Sequence, residues 1–312
     1  MRAGQNPAKY VKTVAKPERI TVAVLNYIPF VSGFYEHIPE VLKACLASLQ
    51  AAADVPFDLM VFDNGSCAEV RDLLHDEFSR GTIQYLILSE KNLGKGGAWN
   101  MIFGGAPGEL IAYTDNDVLF SKGWLSRSLD LLETYPNVGM VTARPIRTDP
   151  SWNTRTVEWA ESEPAVTVER GQLVPRDVLL EFDRSLGKEA EFEAFYSSTS
   201  DIRLTYRNVQ AFVGASHWQF LARKEVLLRY LPFQMDRPMQ QVSRLDLRMN
   251  EDGYLRLMVT DPLVANMSNT PPTLVTGTNS RKPKQNFLLE FPPVKRALMG
   301  LYNRIFRWYY RQ

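Results

Sequence analysis

Between residues 20 and 142 the chain alternates short, continuous apolar runs with longer segments in which apolar residues recur at helical spacing. Continuous apolar runs are typical of strands buried on both faces of a sheet, and five occur, at 20–25, 57–62, 83–88, 110–113 and 138–142. The amphipathic segments predict helices over 39–53, 70–78, a stretch opening near 96, and 124–132. These repeated units predict an α/β fold with a doubly wound, mostly parallel sheet that binds ligands at the carboxyl ends of its strands.

The regular alternation stops after the fifth predicted strand. The stretch 150–200 is polar and acidic, and we interpret it as an inserted lobe or lid with one helix over 178–195. Strand-like sequence over 202–213 precedes a helix over 223–230, and a last strand is predicted over 254–259.

Charge and cysteine content exclude several function classes. Thirty-six basic and thirty-five acidic residues give a net charge of +1, so no nucleic-acid partner is indicated. Cys45 and Cys67 are the only cysteines, which excludes a multi-cysteine zinc site or disulfide scaffold and favours a reducing cytoplasm. No stretch reaches the roughly 18 uninterrupted apolar residues of a membrane-spanning helix. We therefore expect a cytoplasmic globular protein.

Polar residues follow four of the predicted strands at the point where each strand ends. They are Asn26-Tyr27, Asp63, the glycine-rich stretch 92–100, and Asp115-Asn116-Asp117. Because the carboxyl ends of parallel strands share one edge of a sheet, we expect these turns to lie together. Two carboxylates and the phosphates of a substrate are a common ligand set for Mg²⁺ or Mn²⁺. The alternative for the acidic turn is an Asx turn with solvated acids.

The second and third turns are each open to two interpretations. Asp63 can accept hydrogen bonds from a ribose hydroxyl or a base N–H, or the following Asn64-Gly65 is only a turn. Gly94 and Lys95 suit an anionic ligand at a helix start, or mark only that helix start. A P-loop requires Ser or Thr after its lysine, and a dinucleotide fingerprint requires glycine or alanine at the position of Trp99, so neither motif fits.

In order and approximate spacing, the four turns resemble the motifs of family-2 glycosyltransferases with a GT-A fold. The matching segments are Leu25-Asn26-Tyr27, Val61-Phe62-Asp63-Asn64-Gly65-Ser66, Asn92-Leu93-Gly94 through Asn100, and Asp115-Asn116-Asp117. The resemblance implies a nucleoside-diphosphate sugar donor, uridine-based, and a Mn²⁺ or Mg²⁺ cofactor. It also implies inverting transfer of the sugar to a hydroxyl of a glycan, glycolipid or other acceptor, which includes lipid-linked glycans.

The resemblance also assigns roles residue by residue. The implied donor-binding residues are Asn26, Tyr27, Asp63, Asn92, Gly94, Lys95, Asp115 and Asn116. The first three would hold the base and ribose, Asn92 and Lys95 would lie near the ribose or phosphates, and Asp115 would face the ribose or sugar. Asp117, with Asp115, would ligate the metal, which neutralises the departing diphosphate.

The second half departs from the family pattern where an acidic helix should supply the general base. An ungapped match places residues 241–244, which contain no carboxylate, at the acidic positions. Asp246 is the predicted catalytic base if the helix is about half a turn shorter, and Asp236, Glu251 and Asp252 are further candidates. Otherwise Asp246 is an exposed helix acid paired with an arginine.

Three other segments carry open assignments. Many relatives have a third metal ligand, a histidine, after the following strand, and 263–269 contains none. His217 and Trp218 are placed to touch an acceptor, or they belong to the core. The segment 294–312 interleaves basic and apolar residues as in an amphipathic helix. It would lie on the inner face of an anionic membrane, form a homodimer contact, or pack on its own domain.

These assignments divide the chain into five parts: a basic leader (1–19), a nucleotide-sugar-binding half (20–149), the inserted lobe (150–200), an acceptor-binding half (201–280) and a C-terminal helix (281–312). Two other functions stay open. A sugar nucleotidyltransferase also uses a parallel sheet and metal-binding acids, although its glycine-rich loop follows the first strand. A degenerate GT-A domain would bind sugar nucleotide or membrane as a scaffold without catalysis.

Overall fold

The computed structural model describes residues 4–235 and 241–272 together with Arg304, and for residues 241–243 it describes the backbone alone. Residues up to Pro272 belong to one compact unit. The candidate Asp236 and, apart from Arg304, the amphipathic segment 294–312 lie outside the described residues. None of the described helices combines the length and hydropathy that a membrane span requires.

Strands and helices alternate regularly over the first half of the chain. The described strands are β1 (Ile20–Asn26), β2 (Asp58–Asp63), β3 (Tyr85–Leu88), β4 (Leu110–Asp115), β5 (Val118–Phe120), β6 (Val138–Thr142), β7 (Val166–Gly171), β8 (Asp201–Tyr206), β9 (Val209–Val213), β10 (Gln219–Arg223), β11 (Leu255–Met258) and β12 (Val264–Asn266). The described helices are α1 (Ile38–Ala51), α2 (Ala68–Ser79), α3 (Gly94–Gly105), α4 (Trp124–Thr134), α5 (Thr154–Ser162), α6 (Arg176–Ser185), α7 (Phe192–Ser198), α8 (Lys224–Leu228) and α9 (Gln241–Glu251).

Ten of these strands form one sheet, in the order β3-β2-β1-β4-β10-β6-β11-β9-β8-β7. The first four are parallel, and their register pairs Asn26 with Asp63 and Leu25 with Asp115, so β1, β2 and β4 end side by side. β10 runs antiparallel between β4 and β6, while β11 is parallel to β6. The remaining strands extend the sheet as an antiparallel edge.

Helices cover both faces of this sheet. Val22 and Val24 of β1 pack into an apolar layer with α1, α2 and α4, whereas Ala23 faces a second layer formed by α3, α8 and α9. In that second layer Trp99 of α3 is fully buried, with its ring centroid 5.4 Å from that of Tyr113. A strand buried on both faces needs apolar side chains at successive positions, which explains the continuous apolar runs. The predicted α/β class with a doubly wound sheet is confirmed.

Two elements of the second half differ from the predictions. The strand predicted over 202–213 is a hairpin of β8 and β9, because Arg207 and Asn208 take positive φ angles of 48° and 65° and reverse the chain. The prediction of a single helix over 178–195 is wrong. Two helices, α6 and α7, cover this stretch, and the chain between them contains Gly187, whose φ is 71°. The stretch 150–200 also contributes β7 to the sheet edge.

Candidate functional site

The first, second and fourth strand-end turns are joined by a buried hydrogen-bond network centred on Asn26. Its amide nitrogen donates to Asp63 Oδ1 at 2.8 Å and to Ser66 Oγ at 3.0 Å. Its amide oxygen accepts from Asn116 Nδ2 at 2.7 Å. The backbone N–H of Ile28 donates to the same Ser66 hydroxyl at 2.9 Å. One side chain therefore fixes the relative positions of three of the four turns.

Asp63 sits deep in this network. Its carboxylate has no accessible surface, and it accepts from Asn26 and, at 3.0 Å, from the backbone N–H of Ser66. Arg71 of α2 places its Nε 3.8 Å from Asp63 Oδ2. Buried carboxylates are stable when hydrogen-bonded and paired in this way. Asp63 therefore has no surface open to a ligand, while Tyr27 of the neighbouring first turn is partly exposed.

The second and third turns are bound to each other through Asn64. Its amide nitrogen donates to Asn92 Oδ1 at 3.0 Å, and its oxygen accepts from the backbone N–H of Leu93 at 2.8 Å. Asn92 Oδ1 also accepts from the N–H of Gly94, the first residue of α3. Gly65 has a φ of 90°, and a Cβ there would lie 3.0 Å from the backbone nitrogen of Asn92. This close approach requires glycine.

The acidic turn Asp115-Asn116-Asp117 connects β4 to β5. Lys95 of α3 places its Nζ 2.8 Å and 2.9 Å from the two oxygens of Asp115, and the Tyr113 hydroxyl donates to the same carboxylate at 2.6 Å. The Lys95 ammonium lies 5.7 Å from the ring centroid of Trp99 and 5.5 Å from that of Tyr113. The third and fourth turns are thus joined by an ion pair, and Asp115 has its counter-charge within the protein.

Asp117 is in the opposite electrostatic position. Desolvation of its partly buried carboxylate and then the charge of Asp115 raise its pKa from 3.8 to about 7, and the charge of Lys95 offsets only part of this. Among the described residues Asp117 forms no ion pair. A partly buried carboxylate that lacks a counter-cation is a position at which a hard divalent cation fits, with substrate phosphates to complete its shell.

The segment after β12 lies directly beside this turn. β12 pairs antiparallel with β5, and the N–H of Met267 donates to the carbonyl oxygen of Asp117 at 2.8 Å. The stretch 263–269, where many relatives have a histidine as third metal ligand, therefore lies at the acidic turn. Within it, the Asn266 side chain accepts from the N–H of Ser268. In the part of the chain that the structure describes, no three His, Cys, Asp or Glu side chains lie close enough to hold one metal ion.

Asp246, the predicted base, lies on α9 with no exposed surface. One of its oxygens is ion-paired with Arg256 of β11, and the other lies 2.9 Å from Nδ1 of His217. Asp246 is therefore paired with an arginine, as in the alternative interpretation, but it is buried and not exposed. Of the other candidates, Asp252 accepts from the Tyr230 hydroxyl at 2.9 Å and Glu251 is exposed.

The segment that carries His217 and Trp218 lies against the acidic turn. The carbonyl oxygen of Trp218 accepts from the N–H of Asp115 at 2.9 Å. The Trp218 ring stacks on Phe182 of α6, with centroids 5.5 Å apart. Phe182 in turn lines an open cavity of about 760 Å³, whose wall also includes Ile146 and Asp201. The inserted lobe, the acidic turn and this cavity thus meet around Trp218.

Sequence reasoning missed two residues that contact the candidate site residues Asp246 and Asp115. Arg256 lies within the apolar strand β11, and a charged residue in a buried strand signals a buried acidic partner. Tyr113 precedes the acidic turn by two residues, so its side chain leaves the strand on the same face as that of Asp115. Its position in the strand could have suggested the contact.

Comparison with known proteins gives one family and several fold neighbours. The family described as glycosyl transferase family 2 matches residues 31–187, which is half of the 312-residue chain. An uncharacterised glycosyltransferase of Nostoc sp. is 25% identical over 123 residues, covering 39% of this chain and 35% of that protein.

Two solved structures are similar at low identity. One is a mannosyltransferase from Pyrobaculum calidifontis in complex with GDP-Man and Mn²⁺, at 18% identity and a TM-score of 0.45, covering 80% of this chain and 56% of that one. The other is residues 1–349 of TarS from S. aureus, at 15% identity and a TM-score of 0.44, covering 79% and 59%. The chain therefore spans little more than half the length of these proteins, and about a third of its Nostoc relative.

Proposed function

Because the chain belongs to glycosyl transferase family 2, as the four motifs indicated, we propose that it transfers a sugar from a nucleoside-diphosphate sugar to a hydroxyl group. The acceptor is a glycan, glycolipid or other hydroxyl compound, and the donor is uridine-based. The transfer is metal-assisted and inverts the anomeric centre. The observation that carries the proposal is Asp117, a partly buried carboxylate that forms no ion pair with any described residue, at the edge where the polar turns meet.

The four turns support a donor site with a rigid floor and exposed binding groups. Asn26 and Asp63 are buried and hold the turns in place, so the donor would meet the partly exposed Tyr27, Asn92, Lys95 and Asn116. Lys95 lies in the first turn of α3, and a cation at a helix start suits a phosphate. A divalent metal held by Asp117 and Asp115 would neutralise the charge that develops on the departing diphosphate.

The cavity beside Trp218 supports an acceptor site next to the donor site. Its volume of about 760 Å³ is sufficient for one or two sugar rings, and its wall combines apolar residues such as Ile146 with the ion pair of Arg147 and Asp201. Sugars have apolar faces and polar rims, so they suit a wall of this mixed kind.

Isothermal titration of UDP, GDP and ADP with and without Mn²⁺ tests the donor site. We expect metal-dependent binding of one nucleotide to the wild-type protein and a large loss of that binding in Asp117→Asn. Asp76→Asn is the matched control, because Asp76 is an exposed acid on α2, outside the four turns. The proposal fails if no nucleotide binds in a metal-dependent way, or if Asp117→Asn binds as the wild type does.

The second candidate is a domain that binds sugar nucleotide without catalysis. The observation that favours it is that Asp246, the predicted base, is buried in an ion pair with Arg256. Release of UDP or GDP from the bound donor distinguishes the two. A scaffold would bind the donor and leave it intact.

A further inference from the structure

Three side chains behind the acidic turn form a connected row. Arg256 donates to Asp246 Oδ1, and Asp246 Oδ2 lies 2.9 Å from His217 Nδ1. Arg256 and Asp246 have no exposed surface, whereas 29% of the His217 side chain is exposed. The row therefore leads from the core to the surface and ends in an imidazole.

Asp246 is held too tightly to take a proton from an acceptor. Both of its oxygens are engaged, one by a guanidinium, and its side chain has no exposed surface at which a substrate hydroxyl could meet it. Arg256 is itself fixed, because it also donates to the carbonyl oxygens of Ala215 at 2.7 Å and Trp152 at 3.0 Å. The ion pair of Arg256 and Asp246 is therefore a rigid support for His217, which contacts the second oxygen of Asp246.

The support determines which nitrogen of His217 carries the proton. A carboxylate only accepts hydrogen bonds, so the neutral imidazole keeps its proton on Nδ1 and donates it to Asp246. The lone pair then lies on Nε2, which has no hydrogen bond to any residue in the described ranges. A histidine oriented by a carboxylate, with its second nitrogen open, is the arrangement of a general base.

The backbone brings this imidazole to the donor edge. The next residue, Trp218, accepts from the N–H of Asp115, and the preceding residue, Ser216, donates its N–H to Thr142 Oγ1 at 2.7 Å. His217 is therefore fixed between the ends of β4 and β6, next to the acidic turn. The cavity that Phe182 lines begins on the other side of Trp218.

We infer that His217 is the catalytic base of this protein and that Asp246, with Arg256 behind it, is a positioning residue. This inference rests on the proposed glycosyl transfer. His217 Nε2 takes the proton of the acceptor hydroxyl, and the acceptor oxygen bonds to the anomeric carbon. The bond from that carbon to the donor phosphate breaks, and its electron pair leaves on the phosphate oxygen. The imidazolium then releases its proton to solvent.

A role for His217 as the missing third metal ligand is less consistent with the geometry. A carboxylate behind a histidine also orients metal ligands. However, among the described residues no third ligating side chain lies within reach of the same ion as Asp115 and Asp117. The base and metal-ligand roles predict different variant phenotypes, because only a ligand would change metal-dependent nucleotide binding.

The test uses His217→Asn, whose amide nitrogen replaces Nδ1 as the donor to Asp246 while the basic nitrogen is lost. The full chain is incubated with Mn²⁺ and UDP-glucose, UDP-N-acetylglucosamine or GDP-mannose, with water as the acceptor, and release of UDP or GDP is measured. We expect kcat to fall about 100-fold or more, with the donor KM unchanged. His75→Asn, an exposed histidine on α2, is the matched control and should behave as the wild type.

Two further measurements separate a base from a structural residue. Added imidazole should raise the activity of His217→Ala at least about tenfold, because the missing group is small and its site is partly exposed. Asp246→Asn should lower kcat and shift His217 towards the Nε2–H tautomer in ¹H–¹⁵N imidazole spectra. With three histidines in the chain, the His217→Asn spectrum assigns that signal.

Wild-type kcat in His217→Asn would overturn the inference and leave the proposed function intact. Loss of Mn²⁺-dependent nucleotide binding in that variant would also overturn it, in favour of a ligand role. If the wild-type protein itself binds no nucleotide and releases none, the proposed function fails instead.

Discussion

Neutralising Asp117 should make the metal-free protein more stable while it removes nucleotide binding. The carboxyl pKa rises from 3.8 to about 7 in the folded protein, chiefly because the group is buried and secondarily because Asp115 is near. Between these two pH values the folded state holds a proton that the unfolded state has lost. The free energy of unfolding therefore decreases as pH rises from about 4 to 7, and the full penalty applies above pH 7.

The raised pKa sets the size of this effect. A shift from 3.8 to about 7 corresponds to at most about 4 kcal/mol of folding free energy at pH 8. Asparagine has nearly the same shape and no charge, so Asp117→Asn should recover much of this amount. We expect a stabilisation of about 1–4 kcal/mol at pH 8 in EDTA, decreasing towards zero near pH 4.

The control is the same substitution two residues earlier. Asp115 binds Lys95 and Tyr113, so Asp115→Asn leaves a largely buried ammonium without its partner and should destabilise by about 1–3 kcal/mol. Both variants are compared with the wild type by urea unfolding in EDTA at pH 5 and pH 8. Destabilisation by Asp117→Asn, or an equal effect of that substitution at both pH values, would refute the electrostatic reasoning.

Three more predictions follow from the site. Mn²⁺ with the bound nucleotide should raise the thermal midpoint of the wild type more at pH 8 than at pH 6, because the metal must displace the Asp117 proton; equal shifts in a pH series of scanning fluorimetry would contradict this. Asn26→Ala should cost about 2–4 kcal/mol, since it removes buried hydrogen bonds to Asp63 and Ser66, and chemical denaturation measures the loss. Gly65→Ala should destabilise the folded protein and weaken nucleotide binding. Gly81→Ala, at a similar φ with open space around its Cβ, should show only the backbone strain of about 1–2 kcal/mol. Equal losses of unfolding free energy in the two variants would reject the close approach of Gly65 to the third turn.

The first half of the fold could be predicted because one signal dominates it. β1 has Val22 and Val24 on one face and Ala23 on the other, all fully buried, so the run is apolar at every position. The second half carries weaker signals. Arg207 and Asn208 form a tight turn without glycine, and the hairpin of β8 and β9 therefore resembles one long strand in the sequence.

The position of the four strand-end turns was predictable and their internal contacts were not. Strand periodicity places Asn26, Asp63 and Asp115 at one edge, but it does not say which of them will be exposed to a ligand. That depends on side chains from other elements, such as Arg71 beside Asp63 and Lys95 beside Asp115. The interpretation of Asp246 depended in the same way on Arg256, which is ten residues away and on a different element.

The antiparallel direction of β10 is what unites the two halves of the site. Its register pairs Gln219, the first residue of β10, with Thr114 near the end of β4. The loop that precedes β10 must therefore emerge at the same edge as the acidic turn, and this loop carries His217. A parallel strand in this position would begin at the opposite edge, roughly 17–20 Å away across a strand of this length. A single reversed strand in an otherwise parallel centre thus places an imidazole from the second half beside two carboxylates from the first.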